Sequence, residues 1–309
     1  MTLSGVRIPR DRADVAVTAG RKRVALTNVN KIFFPEIGLT KGDLLQYYAD
    51  VSEALLPHIA DRAMVMKRYP NGAQGDFFFM KRVPQPHPDW LRTVPIEQHS
   101  GDVIEFPVID DLAALLWVIN LGCIDLNPWY ARCDEVDRPD YLHFDLDPGE
   151  SSFAMVREVA LLVRDGLAAL GMTSYAKTTG SKGMHVYVPI LRGPSQHDVW
   201  AFAKEFALAF ARHTPELTTV AYKKDKRPKD RVLVDYNQNR WGATLASVYS
   251  VRPAPRATVS APLAWEEIEA GAQIDDFRID NMPARIKKLG DLWKPVDAKR
   301  GRFDLAKLL

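Results

Sequence analysis

The segment DYLHFDLDPGE, residues 140–150, sets Asp145 and Asp147 two apart inside an apolar run that Pro148-Gly149 stops. At strand periodicity Leu142, Phe144 and Leu146 fall on one face, and Tyr141, His143, Asp145 and Asp147 on the other. Both carboxylates therefore point the same way at the end of a strand. Like charges so close are unfavourable unless a cation lies between them. The chemistry this spacing offers is a divalent metal site. The ordinary alternative is a solvated strand end with two surface acids.

Two further clusters carry reactive side chains. In TTGSKGMHVYVPI, residues 178–190, Gly180, Ser181, Lys182 and Gly183 resemble a phosphate loop in composition but fail its GxxxxGK[ST] spacing. A glycine-rich turn leaves backbone N–H groups to meet an anion, with Ser181, Lys182 and His185 as added donors. By itself the segment also fits a plain β-turn entering a strand, with Val186, Val188 and Ile190 inside. In RVLVDYNQN, Asp235 stands at the end of another short strand, followed by Gln238 in a turn. If that strand neighbours the first, three carboxylates converge. Three acids can hold two divalent ions about 3.5–4 Å apart, an arrangement suited to in-line phosphoryl displacement.

Strands alternating with helices must position these groups, which makes the chain mixed α/β. Helices are expected over LLQYYADVSEALLPHI, which Thr40, Lys41, Gly42 and Asp43 precede, after Asp110 or Asp111, over 153–170 with Ser151 or Ser152 as cap, and near 198–213; strands are expected at AMVMKR and RVLVDY. Residues 1–20 show no clear periodicity and read as a flexible tail. The remainder, 21–309, reads as one catalytic domain: an N-terminal part to about 115, a catalytic part to about 265 and a helical C-terminal segment. No apolar run reaches the roughly 18 residues of a membrane span, and no signal-peptide core opens the chain. Cys123 and Cys133 are too few for a disulfide framework or a zinc module. A cytoplasmic, nucleoid-associated protein is expected. The net charge of +2 hides an asymmetry: residues 221–231 carry six basic against two acidic side chains, and residues 266–280 six acidic against one basic. Basic patches of this kind suit phosphate backbones.

DLDPGE, GSKGMH and VDYNQN occur in this order together with LTNVNKIFFPEIGLTKGD, MKRYPNG, DFFFMK and YSVRP. The set resembles the archaeo-eukaryotic primase superfamily, and within it the polymerase domain of bacterial ligase D and stand-alone bacterial primase-polymerases. The resemblance runs from about Val24 to near the end of the chain. It implies a primase fold, with an RRM-like catalytic sheet packed with an N-terminal α/β part. It also implies a template-dependent nucleotidyltransferase that adds ribo- or deoxynucleotides to primers at short gaps or breaks. Asp145, Asp147 and Asp235 would hold two divalent ions, Mn or Mg. Lys67, Asn127, Thr179, Ser181, Lys182, His185, Gln238 and Arg252 would line the nucleotide site. Lys31 and Lys41 would grip a 5′-phosphate, and Phe78 and Phe79 would stack on template bases. The basic loop with Lys223, Lys224 and Arg227 would contact primer or template. Implied partners are gapped or broken DNA, nucleoside triphosphates, a DNA ligase and end-binding proteins, with no membrane.

The chain departs from the family pattern in places. In IDLNPW, Asn127 stands where ligase D polymerases commonly carry His, so an uncharged amide replaces a titratable donor. Thr179 replaces a Ser, Ala243 a Lys, and Trp241 is bulkier than its counterpart. With no ligase or nuclease module before Leu309, gap filling or priming is expected beside an end-joining role served by a separate ligase. Rival readings are a DxD glycosyltransferase, which leaves Asp235 unexplained, and a non-catalytic module for 5′-phosphorylated DNA ends, which leaves the three acids unexplained.

Overall fold

Val15–Ala19 (β1) and Lys22–Leu26 (β2) pair as an antiparallel hairpin in this computed structural model, which describes residues 5–309 apart from the Lys224 side chain. The expectation of a flexible tail over 1–20 is thereby corrected for residues 15–20. Val17, Ala19, Val24 and Leu26 all turn inward and are buried. Gly20, at φ +61°, opens the two-residue loop that the register Ala19↔Lys22 requires. Ile8 is buried as well, its N–H donating to Gln46 Oε1 at 2.9 Å.

The chain forms two compact units that interleave in sequence. One holds residues up to Trp129 with Leu245–Ser260 and Phe277–Asp291; the other holds Tyr130–Thr244, Ala261–Asp276 and Leu292–Leu309. The division falls after Trp129 rather than near 115, and each unit takes back later pieces of chain.

In the first unit, Ile32–Phe34 (β3) and Leu39–Thr40 (β4) form a short hairpin that leads into Lys41–Ile59 (α1). Thr40 caps this helix through a reciprocal box with Asp43. Met64–Arg68 (β5) lies between Phe78–Met80 (β6) and Cys123–Pro128 (β9) in a three-stranded antiparallel sheet. Thr93–Glu97 (β7) and Val103–Pro107 (β8) make another hairpin, and Asp111 caps Leu112–Asn120 (α2) through the Ala114 N–H.

The second unit is built on six strands in the order β13-β14-β10-β12-β11-β15. These are Tyr141–Asp147 (β10), Tyr175–Thr178 (β11), Met184–Pro189 (β12), Thr218–Thr219 (β13), Val232–Asp235 (β14) and Pro262–Leu263 (β15). All neighbours are antiparallel except β13 and β14. Leu142, Phe144 and Leu146 pair with Val188, Val186 and Met184 on one face. The helices Phe153–Ala169 (α3) and Gln196–His213 (α4) cover it, with Phe144 and Phe206 rings 4.9 Å apart. Ser152, not Ser151, accepts from the Met155 N–H at the start of α3. A short helix, Trp265–Glu269 (α5), follows β15. The other face of the sheet carries the polar side chains. No helix among the described residues is long and apolar enough to cross a membrane.

Candidate active site

Strand β10 lies between β12 and β14, and the register puts Asp145 opposite His185 on one side and Asp235 on the other. Lys177 on β11 is in turn opposite His185. Directly paired residues of antiparallel strands share a face. Lys177, His185, Asp145 and Asp235 therefore form one row across four strands, on the face that bears His143 and Asp147. His185 Nε2 lies 3.3 Å from Asp145 Oδ1. Asp235 is 5% exposed. Its carboxylate accepts from the Asn237 N–H at 2.7 Å and from Gln238 Nε2 at 3.2 Å. Burial pushes the Asp235 carboxyl above its ordinary range, and the charge of Asp145 adds to this against the Asn237 hydrogen bond.

Asp147 stands one pleat further on and is half-exposed. Its Oδ1 accepts from the Gly149 N–H at 3.0 Å and its Oδ2 meets Arg227 Nη1 at 3.2 Å. The structure thus pairs two of the expected metal ligands and engages the third with a guanidinium. Among the described residues no three His, Cys, Asp or Glu side chains stand gathered as a ready ligand set. The donor set nevertheless suits a hard divalent cation. Two opposed carboxylates share a row, one of them held at a cost by burial, and a cation already sits on the third.

The turn before β12 corrects one expectation. Its N–H groups are not open to an anion: those of Ser181, Lys182 and Gly183 converge on Thr179 Oγ1 at 3.1, 3.2 and 3.1 Å. The hydroxyl fills the concavity from inside and holds the turn in shape. Ser181 and Lys182 themselves are exposed. Gly183 admits no side chain, because a Cβ there would lie 2.0 Å from the Leu146 carbonyl oxygen. One pleat along from the row on the same face, His143 stacks on Tyr187 with ring centroids 5.1 Å apart, and burial keeps it neutral by driving its pKa well down. Asn239 pins the end of β14 to β10 by donating to the His143 carbonyl and accepting from its N–H. In the basic loop Lys223 is exposed, Arg227 reaches Asp147, and the Lys224 side chain lies outside the described residues.

Other expected residues gather in the first unit. Lys67 on β5 is opposite Asp125 on β9. Asp125 is 1% exposed, and its Oδ2 lies 3.4 Å from Arg252 Nη1. Arg252 is thus engaged in an ion pair with Asp125, a residue the sequence reading passed over. Asn127 is buried, and its amide donates to the Asp125 carbonyl at 3.2 Å. The Lys67 ammonium sits over Phe77 at 4.1 Å, with Tyr69 and Phe79 at 5.3 and 5.7 Å. Phe78 and Phe79 are 43% and 59% exposed, which suits a stacking surface and not a core strand. Lys31 donates to the Pro70 carbonyl and Asn71 Oδ1, and the Lys41 N–H bonds the Lys31 carbonyl at 2.8 Å. The Lys41 side chain is nearly buried against the Thr27 carbonyl, and burial with Lys31 nearby lowers its pKa to about 8.

A family model described as LigD, primase-polymerase domain, matches residues 40–293. The chain belongs to this family. The multifunctional non-homologous end joining DNA repair protein LigD of Mycobacterium tuberculosis is 35% identical over 290 residues, covering 91% of this chain and 38% of that protein. The bifunctional non-homologous end joining protein LigD of Bacillus subtilis is 32% identical over 271 residues, 87% of this chain and 43% of its own length. The chain thus spans about two fifths of the length of these relatives. The solved polymerase domain of M. tuberculosis ligase D in complex with DNA superposes with a TM-score of 0.84 at 33% identity, over 90% of this chain and 99% of that one. The fold is therefore that of the archaeo-eukaryotic primases. Of the expected site residues, only Lys31 lies before the part matched by the LigD primase-polymerase model.

Sequence reasoning missed Lys177 and Asp125. A signal for Lys177 existed: a hairpin centred on Ser181 pairs residue 177 with 185. Asp125 lies two residues from Asn127 in a strand whose alternation puts both on one face.

Proposed function

We propose that the chain is a DNA-repair primase-polymerase that adds nucleotides to a primer at short gaps or breaks. The observation that carries this reading is the cross-strand pair Asp145–Asp235 with His185 beside it. Family membership supplies the substrate class, and the relatives named for end joining supply the biological setting.

In this reading Asp145, Asp147 and Asp235 hold divalent cations, Mn or Mg. Ions held there would supply Lewis-acid activation of a primer 3′-hydroxyl and charge neutralisation at the pyrophosphate. The residues of the chain do the rest. His185, Ser181 and Lys182 donate to phosphate oxygens, Thr179 keeps their turn in shape, and Gln238 steadies Asp235. Lys67, Asn127 and Arg252 offer further donors for the triphosphate. Lys31 and Lys41 favour a 5′-phosphorylated downstream end, and Phe78 and Phe79 stack on bases of any identity. Lys223, Lys224 and Arg227 contact the primer or template backbone. A ribonucleotide preference and an end-joining role beside a ligase and end-binding proteins belong to the same proposal.

The test is primer extension on a duplex with a short gap and a downstream 5′-phosphate, comparing ribo- and deoxynucleotides with Mn²⁺, Mg²⁺ or chelator. Metal-dependent, template-directed addition is expected. Folded protein that binds this DNA but adds nothing under any condition would overturn the polymerase reading and leave a DNA-end-binding module.

A further inference from the structure

We infer that Lys177 is a positioning residue that fixes His185 as the Nε2–H tautomer, so that His185 presents a donor toward Asp145. Lys177 is 1% exposed, and its Nζ lies 2.8 Å from His185 Nδ1. A lysine ammonium has three donors and no acceptor. At this distance Nδ1 must accept, so it carries no proton. The imidazole hydrogen is left on Nε2, 3.3 Å from Asp145 Oδ1. The Tyr187 ring, 5.8 Å from Nζ, lines the ammonium's side of the row.

The fold makes this arrangement hard to avoid. Lys177 and His185 are register partners, as are His185 and Asp145. The Lys177 strand is held from its other side by β15, where Lys177 pairs with Pro262. The polar row thus begins in a buried cation, passes through an oriented ring and ends in two carboxylates. A ring with the opposite tautomer would turn a lone pair toward Asp145, lone pair against anion. Its Nε2 could then donate neither to Asp145 nor to a phosphate oxygen. Lys177 acts through His185 and need not touch the substrate. Its consequence for catalysis rests on the reading of His185 given above, but its effect on the ring does not.

The test reads the ring directly. In the full chain with ¹⁵N-labelled histidine, two-bond ¹H–¹⁵N correlation distinguishes the tautomers, and His185→Gln assigns the signal among the seven histidines. In the wild type, His185 should show a protonated Nε2 and a bare Nδ1. Lys177→Met, similar in length but without a donor, should give a mixture of tautomers; Lys177→Gln, whose amide offers donors beside an acceptor, should fall between it and the wild type. A wild-type ring protonated on Nδ1 overturns the inference with no variant needed. So does an unchanged pattern in folded Lys177→Met. In primer extension Lys177→Met should raise the nucleotide KM by roughly tenfold or more, the scale of a lost hydrogen bond to a charged group, with Lys177→Gln between it and wild type. A tautomer shift in a chain that extends no primer would uphold the role of Lys177 and count against the polymerase reading alone.

Discussion

Asp235 shows how one residue couples stability to function. Its carboxyl is raised by burial, so ionisation opposes folding. The unfolded group titrates near 3.8, and the cost grows as pH rises from there through the folded value and stays in full above it. Asp235→Asn should therefore raise the thermal midpoint of the metal-free protein by a few degrees at pH 7. The gain should vanish below pH 3.8, where both side chains are neutral. Incorporation should fall by more than about 100-fold, since loss of a ligand exceeds loss of its supporting partner. Added Mn²⁺ should stabilise the wild type by mass action and leave the variant unmoved. Thermal melts across pH with and without Mn²⁺ measure all of this; a wild type insensitive to Mn²⁺ would remove Asp235 from the metal site.

At the scale of elements, the loop between β13 and β14 supplies a cation to the end of β10. Arg227 also donates to the Ala221 and Tyr222 carbonyls, so the loop's own backbone holds the guanidinium against Asp147. A guanidinium and a metal ion compete for the same carboxylate oxygen. With the Asp147 side half-exposed, a pair of this kind contributes on the order of 1 kcal/mol, which corresponds to about fivefold in affinity. Arg227→Ala should therefore tighten Mn²⁺ binding to the DNA-free protein by up to about fivefold in titration calorimetry. Unchanged or weaker binding would mean that Asp147 is no ligand or that Arg227 does not compete with the metal.

For the whole molecule, the governing feature is that each unit is closed by chain from far along the sequence. In the second unit β15 pairs with β11, the Thr178 N–H bonds the Ala261 carbonyl at 2.9 Å, and Trp293 packs on Tyr187 at 5.1 Å. Arg302 donates to the Asp140 and Ile190 carbonyls. A fragment of residues 130–244 lacks all of these. Loss of a packed tryptophan alone costs about 3–5 kcal/mol, against a typical domain stability of about 5–15 kcal/mol. That fragment should show no cooperative unfolding transition by circular dichroism, whereas the full chain should. A sharp transition in the fragment would show that the later segments are dispensable to the unit.

The alternation in YLHFDLD determined by itself that Asp145 and Asp147 share a face, because side-chain direction along a strand is a local property. The caps at Asp111 and Ser152 were legible to within one residue for the same reason: each satisfies a backbone donor within its own first turn. The ordered motifs were enough to reach the family. Periodicity names a face but not a neighbour, and only the tertiary structure decided that Asp235, from a strand about 90 residues later, lies opposite Asp145. The same holds for Arg227 on Asp147, Asp125 between Lys67 and Arg252, and Lys177 behind His185. The Thr179 hydroxyl inside its turn was hidden by geometry, since composition shows which donors a loop contains but not what they already bind. Contacts between distant strands are set by packing and register across the whole sheet, and no local stretch of sequence encodes them.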